Sequence, residues 1–223
     1  MNINLNNKSF KPFGVASELY DTETAKHMTY TTRSGELAPT PLIFKENPYS
    51  DEIKNLKYIF EIGCGVGRNI KWVLDHTDAV FISVEPNLSM IEALYNIYPE
   101  YKDNVRVLIY SNFTDIKEDI KFDLVLSTFV FQHICYMPDS DTYNVKDIAS
   151  EISKYAHDNT IWILLEHDGE DNWIDRFIND CNIKLDVYIR NFKGIEELTH
   201  RDHCAPNGHH LMIFKGEVND YNI

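Results

Sequence analysis

The chain has 223 residues, 43% of them hydrophobic, and its 35 acidic against 21 basic side chains leave a formal net charge of −14. A length of this order serves one core, and a field of this sign, with no Lys/Arg stripe, repels a phosphate backbone and excludes nucleic acid as a partner. Residues 1–8 hold no apolar run, no stretch approaches the roughly 20 apolar residues that span a bilayer, and Cys64, Cys135, Cys181 and Cys204 form no C-x-x-C pair, so a reduced, cytoplasmic chain with no membrane partner is expected.

Residues 1–56 lack sheet periodicity, and Ser34-Gly35 and Pro39-Thr40-Pro41 break any long helix there. The aromatics Phe10, Phe13, Tyr20 and Tyr30 and a helix-compatible stretch over 17–27 make this segment a cap or lid, and residues 57–223 the domain it covers. From residue 57 onward, apolar runs at 57–62, 79–85, 104–110, 121–127 and 159–165 alternate with amphipathic segments, the pattern of an α/β, doubly wound parallel sheet. The spacing predicts helices over 69–76 (Ile70, Val73, Leu74), 87–98 (Leu88, Ile91, Leu94, Tyr95), 145–155 (Val145, Ile148, Ile152, Tyr155) and 171–180. After residue 183, the stretches 185–190 and 210–215, joined by a polar loop ending Pro206-Asn207-Gly208, predict an antiparallel edge hairpin.

The first apolar run ends in Glu61-Ile62-Gly63-Cys64-Gly65-Val66-Gly67-Arg68-Asn69. Glycines take positive φ and present no Cβ, so a ligand can meet the backbone where the next helix begins and offers unpaired amides. A dinucleotide fingerprint, G-x-G-x-x-G, would need its third glycine at position 68, which is Arg68, and this argues against a nicotinamide or flavin dinucleotide. An acid directly before such a turn resembles the first motif of class I S-adenosylmethionine-dependent methyltransferases. The resemblance implies a Rossmann-like, mostly parallel seven-stranded sheet of order 3-2-1-4-5-7-6, with S-adenosyl-L-methionine held by Glu61, Gly63, Cys64, Gly65, Gly67 and Asn69 and by Tyr30 from the cap.

Glu85 ends the second run, 24 residues after Glu61, where a doubly wound nucleotide site places an acid to accept both ribose hydroxyls; an exposed strand-end carboxylate is the alternative. By resemblance Pro86 and Met90 flank the adenine, and Asn112, with Phe113 beside it, takes the position of a more usual Asp that accepts from the adenine amino group. The fourth strand, read over 122–128, closes on Thr128, assigned to the cofactor site, and 129–134 resembles the family segment beside the reacting methyl. His133, Glu166 and His167 follow the fourth and fifth runs, at the carboxyl edge where open α/β sheets bind ligands, and are the catalytic candidates.

Several chemistries lack their residues. No Asn/Asp-Pro-Pro-Tyr motif for amino methylation of nucleobases and no Pro-Cys pair for attack on a pyrimidine follows the fourth run. His200, His203, Cys204, His209 and His210 invite a zinc reading, but their spacing is poor, and adjacent histidines on a strand point to opposite faces, so a loop lining the acceptor pocket is expected and no metal is assigned. The expected activity is methyl transfer to an O or N nucleophile of a small-molecule acceptor. A protein methyltransferase and a non-catalytic cofactor-binding protein are the alternatives, and the oligomeric state is left open.

Overall fold

The computed structural model describes residues 3–5, 8–10, 47–117, 119–131, 134, 136–137, 142–143, 145–167, 173–190, 192, 209–216 and 218. Its centre is a seven-stranded sheet built from β3 (Tyr58–Ile62), β4 (Val80–Val84), β5 (Val107–Tyr110), β6 (Leu124–Thr128), β9 (Ile161–His167), β10 (Val187–Ile189) and β11 (His209–Lys215). Their spatial order is β5-β4-β3-β6-β9-β11-β10. Numbered along the chain, that is 3-2-1-4-5-7-6, as expected, with β3, β4, β5, β6 and β9 parallel and β11 antiparallel to both β9 and β10.

Strands covered on both faces need apolar side chains at odd and even positions alike, which is why these segments read as continuous apolar runs. Ile59, Phe81, Leu124, Leu126, Ile161, Ile163 and Leu165 face one cluster, into which α2 (Arg68–His76) sets Ile70 and Val73 and α3 (Leu88–Ile97) sets Leu94. Phe60, Ile62, Ile82, Val84, Val125, Trp162 and Leu164 face the other, closed by Ile148 and Ile152 of α4 (Val145–Ser153) and by Trp173 and Phe177 of α5 (Trp173–Asp180). Helix α5 ends in a left-handed cap: Asn182 takes φ 49°, and the Ile183 and Asn182 amides donate to the Ile178 and Asn179 carbonyls at 2.9 and 3.2 Å.

Three differences from the sequence reading have physical causes. The packed unit begins before residue 57, because Ile53 of α1 (Ser50–Ile53) is buried in the same cluster as Ile59 and Phe81. Two short antiparallel pairs were not expected: β1 (Ile3–Leu5) with β2 (Lys8–Phe10), and β7 (Tyr136–Met137) with β8 (Thr142–Tyr143). Strands of two or three residues are too short to establish an alternation. The fourth expected helix stops at Ser153, two residues early, where the Tyr155 and Ala156 amides turn back onto the Ile152 and Ser153 carbonyls. The helix expected over 17–27, the aromatics Phe13 and Tyr20 and most of the His200–His210 loop lie outside the described residues, as does the side chain of Phe10.

Candidate functional site

The order of the sheet reverses between β3 and β6, and the loops at the carboxyl ends of β3, β4 and β6 meet there. Gly63, Gly65 and Gly67 take φ of 64°, 52° and 82°. The turn is tied to β4: the Gly63 amide donates to the Val84 carbonyl at 3.1 Å, and the Cys64 amide to Ser83 Oγ at 3.2 Å, while Ser83 Oγ donates to the Glu61 carbonyl at 2.7 Å. A Cβ at Gly63 would lie 2.6 Å from Val130 Cγ1, and one at Gly67 3.1 Å from Leu94 Cδ1, so these two glycines let the loop pack against its own fold. Among the described residues, a Cβ at Gly65 would meet nothing within 4 Å, so here the missing side chain leaves open space for a ligand. Gly67 opens α2 with no side-chain cap, and the Ile70 amide donates to its carbonyl at 3.3 Å, so the positive end of the helix faces the turn. Cys64 is 6% exposed, and burial pushes its thiol well above the usual range, which makes it inert packing.

Glu85 is not an exposed strand-end carboxylate; it is 7% exposed at the end of β4. Its Oε2 accepts from the Gly65 amide and its Oε1 from the Asn87 amide, each at 2.9 Å, and burial still raises its pKa. Asn87 caps α3 by accepting from the Met90 amide at 3.2 Å. Two of the assigned side chains pack inward. Met90 is 3% exposed and packs against Val66 and Ala93; Leu88, 70% exposed, is the apolar side chain that faces outward at this turn, and Pro86 is half-buried. Phe113 is 2% exposed, with its ring 5.7 Å from that of Phe60 in the core. Asn112, also buried, donates from Nδ2 to Asp115 Oδ2 at 2.9 Å, which orients its amide at the end of β5.

Beneath the turn lies a polar lock. Asn69, in the first turn of α2, donates to Glu61 Oε1 and stands 3.1 Å from Thr128 Oγ1, so it joins the carboxyl ends of β3 and β6. Glu61 is 1% exposed, its Oε2 has no hydrogen-bond partner among the described residues, and burial raises its pKa from 4.5 to about 8 against the pull of Asn69, Thr128 and Arg68. Glu61, Asn69 and Thr128, expected in the cofactor site, bond one another beneath the loop.

At the end of β9, Glu166 is completely buried. It accepts from Ser127 Oγ and from the Phe131 amide at 3.0 Å, which suits a group that holds structure rather than one that carries protons to a substrate. His167 ends β9 in register with His209 of β11. Those strands place His209 edge-on to Phe129, centroids 5.5 Å apart, and His210 on the other face, its Nδ1 3.1 Å from Tyr188 Oη. His133 and Tyr30 lie outside the described residues. Among the described residues no group of three His, Cys, Asp or Glu side chains could hold a metal ion, and no helix is long and apolar enough to cross a membrane.

Sequence reasoning missed Ser83, Ser127 and Phe129. The first two had a signal: each is a polar residue interrupting an otherwise apolar strand near its carboxyl end, as Glu61 and Glu166 also do. Phe129, with φ 62° and no glycine to announce it, had none.

Residues 60–160 match a family model described as a methyltransferase domain. Among solved structures, the chain is similar to StiE O-MT at 12% identity and TM-score 0.55, covering 79% of this chain and 72% of that one. It is similar to N-methyltransferase NodS from Bradyrhizobium japonicum WM9 at 10% identity and TM-score 0.53, covering 78% and 97%. It is also similar to geranyl diphosphate C-methyltransferase from Streptomyces coelicolor A3(2) at 10% identity and TM-score 0.51, covering 72% and 72%. It spans 39% of the length of a coclaurine N-methyltransferase, over 56% of its own. At these identities the likeness is one of fold. No curated protein matches the chain in sequence.

Proposed function

We propose that the protein is a class I, S-adenosylmethionine-dependent methyltransferase that moves a methyl group to an O or N nucleophile of a small-molecule acceptor, a reading supported by the match of residues 60–160 to a methyltransferase-domain model. The observation that supports the cofactor half of this reading is the turn at Gly65: open space where a side chain would stand, beside a buried carboxyl that accepts the Gly65 amide.

S-adenosylmethionine, when bound, supplies a methyl on a sulfonium whose departure leaves a neutral thioether, so little covalent chemistry falls to the protein. Its residues bind, orient and exclude water. Each Glu85 oxygen accepts one amide and keeps a second lone pair, enough for the two ribose hydroxyls. The amides opening α2 face the carboxylate end of the methionine moiety in this reading, Pro86 and Leu88 border the adenine, and Asn112 meets its amino group. The segment that precedes the packed unit, with Tyr30, is the cap that shields the site. An acceptor that arrives as a hydroxyl or ammonium must lose a proton, and His133 or His167 takes it. The net charge of −14 favours neutral or cationic acceptors over phosphorylated ones and is in keeping with a cytoplasmic metabolite enzyme.

The test is transfer of a labelled methyl from S-adenosylmethionine to a panel of neutral and cationic amines, phenols and alcohols. Label on a small molecule is the expected result. Label only on protein, or on nothing while the protein still holds cofactor, contradicts it.

A further inference from the structure

The chain leaves β6 through a left-handed elbow. Phe129 takes φ 62°, a conformation that costs a bulky residue energy and persists where its surroundings impose it, while its amide still donates to the Leu165 carbonyl of β9 at 2.8 Å. The surroundings are supplied by Glu166, one residue further along β9. Its Oε1 accepts from Ser127 Oγ before the elbow and from the Val130 and Phe131 amides after it, at 3.4 and 3.0 Å. Ser127 and Glu166 lie on the same face of the sheet, turned away from Glu61 and Asn69, so this is a second polar lock. Its product is the placement of Val130, whose Cγ1 occupies the space that a Cβ on Gly63 would need.

We propose that Glu166 is a positioning residue of the cofactor site: by holding the Val130 and Phe131 amides it presses Val130 onto Gly63 and fixes the glycine turn from the far side of β6. The inference rests on the proposed methyltransferase reading. It assigns Glu166 a role that does not require contact with acceptor or cofactor, and it ties strand β9 to the loop after strand β3. A carboxamide at position 166 keeps an oxygen that can accept the same donors, whereas a methyl group leaves the buried Phe131 amide, the half-buried Val130 amide and a hydroxyl without this acceptor.

The experiment is calorimetric titration of the full chain with S-adenosylhomocysteine, well below the unfolding transition, with thermal midpoints measured in parallel. Glu166→Ala is expected to weaken binding about tenfold or more, Glu166→Gln to stay within about threefold of wild type, and Val130→Ala to weaken binding several-fold. Because both act through one contact, the double variant Glu166→Ala/Val130→Ala should bind about as Glu166→Ala does, not at the sum of the two losses. A Glu166→Ala protein with a lowered midpoint and unchanged affinity has lost only stability, and overturns the inference. If Glu166→Ala does not fold, Val130→Ala decides: affinity equal to wild type overturns it. Wild-type protein that binds no S-adenosylhomocysteine overturns the methyltransferase reading and this inference with it, whereas wild-type binding matched by every variant overturns this inference alone.

Discussion

Gly63 and Gly65 stand two residues apart with φ of 64° and 52°, yet they answer different demands. At Gly63 a methyl group would run into Val130, so Gly63→Ala is a folding lesion; at Gly65 it would enter empty space, so the lesion is to binding. Gly65→Val should cost about 1–2 kcal/mol in stability, the strain of a branched residue in the left-handed region, leave the circular dichroism spectrum intact and abolish measurable S-adenosylhomocysteine binding. Retained affinity would remove Gly65 from the site. Glu61 makes a second prediction at this scale. Burial raises its folded pKa from 4.5 to about 8, so between those values the unfolded chain has released a proton that the folded chain keeps. The stabilisation is fully present below pH 4.5 and is lost as pH rises toward 8, and Glu85, also raised by burial, adds a slope of the same sign. Thermal midpoints of the wild type measured from pH 5 to pH 8 should therefore fall more steeply than those of Glu61→Gln, which is neutral throughout. Parallel curves would show that Glu61 is ionised in the folded protein.

Helix α2 begins at a bare glycine and is joined to the sheet by Asn69, which bridges Glu61 and Thr128. Asn69→Ala removes both contacts and leaves Glu61 buried without its main donor, so a loss of about 1–3 kcal/mol in denaturant unfolding is expected, with weaker S-adenosylhomocysteine binding alongside. Stability within a few tenths of a kcal/mol of wild type would show that the lock is not formed. Helix α3 offers the comparison: Asn87→Ala removes a cap on the Met90 amide and should cost about 1 kcal/mol. Elements of this kind were legible. Ile59-Phe60 and Phe81-Ile82 fill both faces of their strands, and the period of Ile70, Val73 and Leu94 marks the covering helices. What a side chain touches was less so. Met90 and Leu88 are two residues apart on α3, and it is the phase of that helix against Val66 and Ala93 that buries one and exposes the other. Glu61, Asn69 and Thr128 were recognised as belonging to the site, but their mutual bonding depends on strand register, which an isolated sequence does not print.

Across the whole molecule, the sheet order and the placement of the glycine turn, Glu85 and Asn112 on one edge agree with the sequence reading, since parallel strands that start at one edge must send their loops out at the other. The short β1–β2 and β7–β8 pairs were not legible: residues such as Asn4, Ser9 and Thr142 give strands of two or three positions no apolar stripe. Nor was the elbow at Phe129, because a left-handed aromatic is imposed by Glu166 and Leu165 from another strand rather than by local preference. Whether this edge holds S-adenosylmethionine rather than a dinucleotide is decided by titration of the purified protein with S-adenosylhomocysteine beside NAD. Binding of S-adenosylhomocysteine alone is predicted, weakened by about 1–3 kcal/mol in Glu85→Ala, the scale of losing a charged acceptor. Binding of NAD alone, or of neither ligand, would contradict the account.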